Sequence, residues 1–139
     1  MAWCELKIVE KKKGTAPNEK TVRVPECVGE GCPKIYEQQG AAARKVVEPK
    51  CRVVTEGEFV GGKFKPKNEE GPKCLCVIDE CEVTPKKDAD GTVTKMDCAA
   101  HCGKTFYKKD SGRDEVKTSC ILVMDHSDDN NVKCVCIML

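Results

Sequence analysis

Cysteine is the residue with the most chemistry to offer in this 139-residue chain, which has twelve. A cysteine can act as nucleophile, metal ligand or half of a disulfide, and its spacing and neighbours decide which. The twelve fall into two sets of six: Cys4, Cys27, Cys32, Cys51, Cys74 and Cys76, then Cys81, Cys98, Cys102, Cys120, Cys134 and Cys136. Each set has the same rhythm of a first Cys, a close pair, a lone Cys and a Cys-x-Cys. The close pair is spaced x4 in the first set and x3 in the second. The surrounding residues agree as well: "GPKCLCVI" ends the first set and "VKCVCIML" the second, and "KTVRVPECVGEGC" reads against "GTVTKMDCAAHC". A unit of about seventy residues therefore recurs, with expected domains at residues 1–78 and 79–139.

Catalysis finds little support in these residues. The two histidines, His101 and His126, both lie in the second unit. A thiolate–imidazole pair at Cys-Ala-Ala-His-Cys would need a free cysteine, and the even count leaves none over. There is no nucleophile elbow, phosphate loop or paired-carboxylate signature, so no enzymatic activity and no cofactor are expected. Cys98, His101 and Cys102 loosely resemble zinc ligands, but the first unit repeats the cysteines without any histidine. Disulfides explain both units where zinc would explain at best one, so no metal site is expected. The acidic run 125–131 lacks the glycine and terminal glutamate of a calcium loop and reads as a polar hairpin tip. The final "CIML" matches a prenylation box in form only, because Cys136 is the counterpart of Cys76, which lies mid-chain.

Composition fits a disulfide scaffold. Only six aromatics occur, and 34% of residues are charged, so each unit has a thin core. Three bridges per unit, at about 3 kcal/mol each, could supply what the core lacks. Such bonds persist in oxidising compartments, which points to a secreted, extracellular chain. "MAWCELKIVE" lacks the apolar run of a signal peptide, so the sequence is expected to be that of a mature chain. No 18-residue apolar run exists to span a membrane. Net charge is +1, with +4 on residues 1–78 (15 Lys/Arg, 11 Asp/Glu) and −3 on residues 79–139 (9 against 12). Neither half is basic enough to predict nucleic acid or a membrane as partner.

The elements that must position the cysteines read as β. "KTVRVPEC" alternates with period two and puts Val22 and Val24 on one face, and "GTVTKMDC" behaves alike. "KTFYKKDSGRDEVKTSCILV" reads as two strands around Asp-Ser-Gly. "KCLCVI" and "KCVCIML" read as closing strands, whose Cys-x-Cys thiols share a face and bridge into the core rather than to each other. Only "VIDE", 77–80, separates the units, which predicts a fixed orientation between them. The expected fold is all-β: two tandem antiparallel β modules with three disulfides each. The first unit has 22 residues between its lone Cys and its Cys-x-Cys, and the second has 13. The extra length holds Phe59, Val60 and Phe64 around Gly61-Gly62, a hairpin signature, with Lys63, Lys65 and Lys67 beside it. Phe59, Val60, Lys63, Phe64 and Lys65 are the candidate partner-binding loop, an apolar anchor with a cationic rim. The competing reading folds the two phenylalanines back over a small core.

Two families are similar in cysteine spacing. The second unit resembles a defensin-type motif, with "DCAAHCGK" as its helix, but Gly29, Gly31 and Pro33 argue against a helix across "CVGEGCP". Both units resemble the single-domain von Willebrand C-like proteins of arthropods, in the style of the tick salivary 8.9 kDa family. Cys4, Gly14, Pro25, Cys27, Cys32 and Cys51 stand in the places of that pattern, as do Cys81, Gly91, Cys98, Cys102 and Cys120. The chain departs from it in having six cysteines per unit and a Cys-x-Cys ending. The resemblance implies a monomeric salivary protein that binds a host plasma or tissue protein and inhibits host defence, complement being the first-named target. The alternatives are an inhibitor of a coagulation or trypsin-like protease, with Lys50 or Arg52 as the specificity residue, and a defensin-like antimicrobial or toxin. The charge of +1 disfavours the last of these.

Overall fold

The computed structural model describes residues 3–39, 43–67, 71–108 and 114–139. It is all-β, with twelve strands and no helix among the described residues. In the first half these are β1 (Glu5–Lys13), β2 (Lys20–Val28), β3 (Ile35–Gln39), β4 (Ala43–Val47), β5 (Lys50–Val60), β6 (Lys63–Pro66) and β7 (Lys73–Glu80). The second half has β8 (Val83–Lys87), β9 (Val93–Cys98), β10 (Phe106–Lys108), β11 (Thr118–Asp125) and β12 (Asn131–Met138).

The disulfides keep to the two halves. Cys4–Cys51, Cys27–Cys74 and Cys32–Cys76 cross-link the first, and Cys81–Cys120, Cys98–Cys134 and Cys102–Cys136 the second, leaving no free cysteine. The order is the same in both: first to fourth, second to fifth, third to sixth. Each Cys-x-Cys bridges to the close pair of its own half, as two thiols on one face of a strand allow.

The sheets do not keep to the halves. β11, β12, β7 and β5 pair in that order, and β11 pairs again with β5, closing four strands into a ring. Val54, Val77, Val123, Val135 and Ile137, drawn from all four strands, form one buried cluster. A second sheet runs β10-β3-β4, and beside it Ile35, Phe106, Val116 and Met138 pack against Cys76 and Cys136. Burying one such aliphatic side chain contributes about 1.5–3 kcal/mol. Both clusters take residues from both halves, so neither half completes a core alone.

Equivalent strands meet each other. Thr55 and Met124, each four residues past the lone cysteine of its half, are paired antiparallel. Val77 and Ile137, each directly after its Cys-x-Cys, are paired as well, and Tyr36 stands opposite Tyr107. Like strands paired antiparallel are what a local two-fold axis produces. Residues 77–80, read from sequence as a linker, belong to β7, so a sheet strand joins the halves and fixes their orientation.

Local turns follow the expected chemistry in part. The turn Asp110-Ser111-Gly112 lies outside the described residues. On either side of it the chain does double back, with Lys108 N donating to Asp114 O and Val116 N to Phe106 O, both at 2.8 Å. The sheet partners differ from that simple hairpin: β10 pairs with β3, and β11 with β12 and β5. β3 and β4 pair antiparallel, with Gln39 opposite Ala43.

Candidate functional site

The Gly61-Gly62 hairpin forms as its sequence demands. Both glycines have positive φ, 60° and 74°, which a two-residue turn with the right-handed twist of its strands requires. Phe59 stands opposite Phe64 across this turn, and Gly57 opposite Pro66. Gly57 is needed for space: a Cβ there would sit 2.6 Å from Cζ of Phe64. The Phe64 ring thus covers bare backbone, an arrangement that compensates a strand glycine.

The other side of this hairpin is occupied by the second half of the molecule. Phe59 pairs with Met96 and Val60 with Lys95, so β9 docks along the end of β5. Phe59, Val60 and Phe64 are half-buried, and Lys63 and Lys65 are exposed. A cavity of about 340 Å³ lies at this junction, lined by Phe59, Val60, Met96, Cys98 and Leu122 among others. The five candidate loop residues therefore lie together, with β6 as an outer strand whose Lys63, Lys65 and Pro66 suit an unpaired edge. At the base, Glu56 receives Lys73 at 3.1 Å and Lys67 at 3.4 Å. Burial raises the Glu56 pKa, but the two ammonium groups outweigh it and hold the carboxyl below its ordinary value.

The β11–β12 tip carries a polar cluster that the sequence reading missed. Asp125 is fully buried, with Arg52 Nη1 and Lys133 Nζ each 3.3 Å from Oδ2 and the Ser127 amide donating to Oδ1 at 2.9 Å. Lys133 also reaches Asp128 at 2.9 Å. The hydrogen bond from Lys133, then that from Asn131, pulls the Asp128 pKa down. The same bond to Asp128 raises the Lys133 pKa against the effect of burial, with Asp125 adding to it. His126 Nε2 lies 2.6 Å from Thr55 Oγ1 and Nδ1 lies 2.7 Å from Asn130 Oδ1. A hydroxyl, an imidazole and an orienting oxygen in line resemble a nucleophile–base arrangement. Thr55 is 7% exposed, however, so an incoming acyl group has no approach to its hydroxyl. The contacts read as a clamp that holds the tip on β5, and His126 N donating to Val53 O at 2.9 Å completes it. One sequence signal was available: period-two alternation places Asp125 on the same strand face as Ile121 and Val123.

Bridged sulfurs occupy the places where metal ligands would be sought. The sulfurs of Cys4, Cys32, Cys51 and Cys76 lie within 4.8 Å of one another, because two bridges cross with Cys4 Sγ 3.5 Å from Cys76 Sγ. A disulfide sulfur carries no thiolate charge to offer a metal.

Comparison with protein-family models, curated proteins and solved structures finds no match. Local geometry alone weighs the alternatives. Arg52 is engaged with Asp125, and both Lys50 and Arg52 sit inside a strand paired with β7, whereas a substrate-like inhibitory loop must stand free. Residues 99–102, which a defensin-type motif would make helical, follow β9 as bends and coil.

Proposed function

We propose that this chain is a secreted binding protein without catalytic activity that blocks a host defence protein, complement being the first target to examine. The observation that supports this reading is the β5–β6 hairpin, with Phe59, Val60 and Phe64 flanked by Lys63 and Lys65. Its outer strand β6 is an edge of a body cross-linked by six disulfides. A partner that binds such a rigid edge loses little to ordering it. An apolar centre with a cationic rim is usual anatomy for a small interface. The extracellular assignment rests on the disulfides, which an oxidising compartment maintains. The tick salivary resemblance supplies complement as the named target.

The experiment is capture of partners from vertebrate plasma on the immobilised, oxidised chain, read by mass spectrometry beside a complement haemolysis assay. Inhibition of trypsin or thrombin without effect on haemolysis would move the reading to protease inhibition. Once a partner is in hand, F59S/F64S separates the two roles of the hairpin. Affinity reduced more than tenfold with the melting temperature held marks a binding anchor. A collapsed melting temperature marks the two rings as the internal dock for β9 and directs the search to another surface.

A further inference from the structure

We propose that the free end of the β1–β2 ribbon binds a sulfated polysaccharide chain. This rests on the chain being extracellular, but not on any particular protein target. Residues 7–26, the ribbon from the Lys7–Glu26 pair out to its turn, carry six Lys/Arg and three Asp/Glu, a net +3 in a chain whose total is +1, so everything else sums to −2. The ribbon is a two-stranded sheet of its own and is exposed along almost all of β1. Its register places Lys13 directly opposite Lys20, and Lys11 and Lys7 follow Lys13 along the same face. Like charges directly opposite destabilise a strand pair. From Lys7 to Lys13 is about 20 Å at 3.4 Å per residue, so the ammonium groups form a row.

Internal acids neutralise only part of that row. Lys11 pairs with Glu26, which the register also sets opposite Lys7, and on the other face Lys12 pairs with Glu19 at 3.7 Å. Among the described residues Lys7, Lys13, Lys20 and Arg23 form no ion pair. The corresponding ribbon of the second half shows the alternative. There Lys86 stands opposite Lys95, and Asp97 lies between them at 3.9 and 3.6 Å. The first ribbon has the same opposed lysines without the acid, which leaves the place of the counter-charge to a ligand.

The surroundings select the kind of polyanion. No aromatic residue lies between Trp3 and Tyr36, so the ribbon offers no platform on which bases could stack. The turn, residues 14–19, reads Gly-Thr-Ala-Pro-Asn-Glu and has no large apolar side chain to enter a lipid layer. A linear sulfated sugar polymer requires neither; a row of amines holds it by charge and counterion release.

The test uses the intact, oxidised chain on immobilised heparin, with elution by sodium chloride. Retention at about 0.15 M salt, the physiological ionic strength, is expected. K13Q/K20Q should weaken binding about tenfold and lower the slope of log affinity against log salt by about two. K86Q/K95Q should change affinity less than twofold, and the melting temperature of both variants should hold. No retention overturns the proposal, as do equal losses in the two variants or undiminished binding to desulfated heparin. Tighter binding to phosphatidylserine vesicles or single-stranded DNA than to heparin overturns the choice of polysaccharide. Plasma capture and haemolysis by K13Q/K20Q read the protein target separately, so either proposal can fail while the other stands.

Discussion

The β1–β2 and β8–β9 ribbons occupy the same place in their halves, each spanning the first two cysteines, yet one stands free and the other is built into the large sheet. The cause lies in the closing hairpins. β5 continues nine residues past Cys51 to Val60, and its last two residues, Phe59 and Val60, pair with β9. β11 continues only five residues past Cys120 to Asp125 and then turns. The positions equivalent to Phe59 and Val60 would be Asp128 and Asp129, which lie in that turn. The first half thus extends an arm that captures the ribbon of the second, and the second half has none to return the favour. The nine extra residues of the first closing hairpin break the local two-fold and leave one ribbon outside the large sheet.

The strongest test of this contrast removes equivalent bridges. Loop-closure entropy treats the two nearly alike, because Cys27–Cys74 spans 47 residues and Cys98–Cys134 spans 36. The structure predicts otherwise. Cys134 is buried at the ring, so C98A/C134A should cost about 3–5 kcal/mol, the bridge together with a cavity. C27A/C74A should cost about half as much. Two bridges remain to restrain the unfolded chain in either variant, but Cys27 and Cys74 are only half-buried and the ribbon has little packing to lose. Denaturant unfolding measures the difference, and hydrogen exchange should show opening confined to residues 5–28 in C27A/C74A. Equal costs, or the reverse order, would break the comparison.

A smaller effect comes from single side chains on the two ribbons' contacts. Phe59→Ala removes the aromatic that meets β9 and should destabilise by about 2 kcal/mol, less than the 3–5 of a fully buried phenylalanine. Ile8→Ala on the free ribbon, where Ile8 is 49% exposed, should stay within about 0.5 kcal/mol. Exchange of the β8–β9 amides should quicken in the first variant and not in the second. A Phe59 variant as stable as the parent would mean that β9 docks through its backbone alone.

Much of this was legible because it is local. Period-two alternation and β-branched runs located the strands at Cys27, Cys74, Cys98, Cys120 and Cys134, Gly61-Gly62 located its turn, and the matched rhythm of six cysteines anticipated a disulfide order common to the two halves. The pairing of β5 with β11 joins residues almost seventy positions apart, and no local pattern encodes which edge of one copy meets the other. The Phe59-Val60 segment shows the consequence. Its apolar residues were visible, but an apolar strand end reads the same whether its neighbour is another molecule or the second half of this one. Asp125 was missed for a different reason: a carboxylate is assigned to the surface unless its cations are known, and Arg52 comes from the other half.

The smallest effect expected is a difference in pH response between the two closing hairpins. Glu56, at the base of the first, is held below its ordinary pKa because Lys73 and Lys67 outweigh the opposing effect of burial. A carboxyl depressed in the folded state contributes stability above its unfolded pKa, about 4.3 for a glutamate, and loses it as pH falls through the lower folded value. The contribution should be at most about 1 kcal/mol, since both lysines are largely exposed. Unfolding midpoints measured from pH 7 down to about pH 3 should therefore fall less steeply in Glu56→Gln than in the parent. The second hairpin adds an alkaline limb. Lys133 is raised by its bond to Asp128, and a raised lysine contributes below its unfolded pKa of about 10.4 and loses that contribution as pH rises through the folded value. Asp128→Asn should flatten the alkaline limb and leave the Glu56 response intact. Asp128 is itself held low by its bond to Lys133, so Asp128→Asn also removes a small acid contribution of its own. If the acid response of the double variant Glu56→Gln/Asp128→Asn departs from the sum of the two single variants, the two hairpins titrate as one unit across the shared sheet, and the contrast between them holds for packing but not for charge.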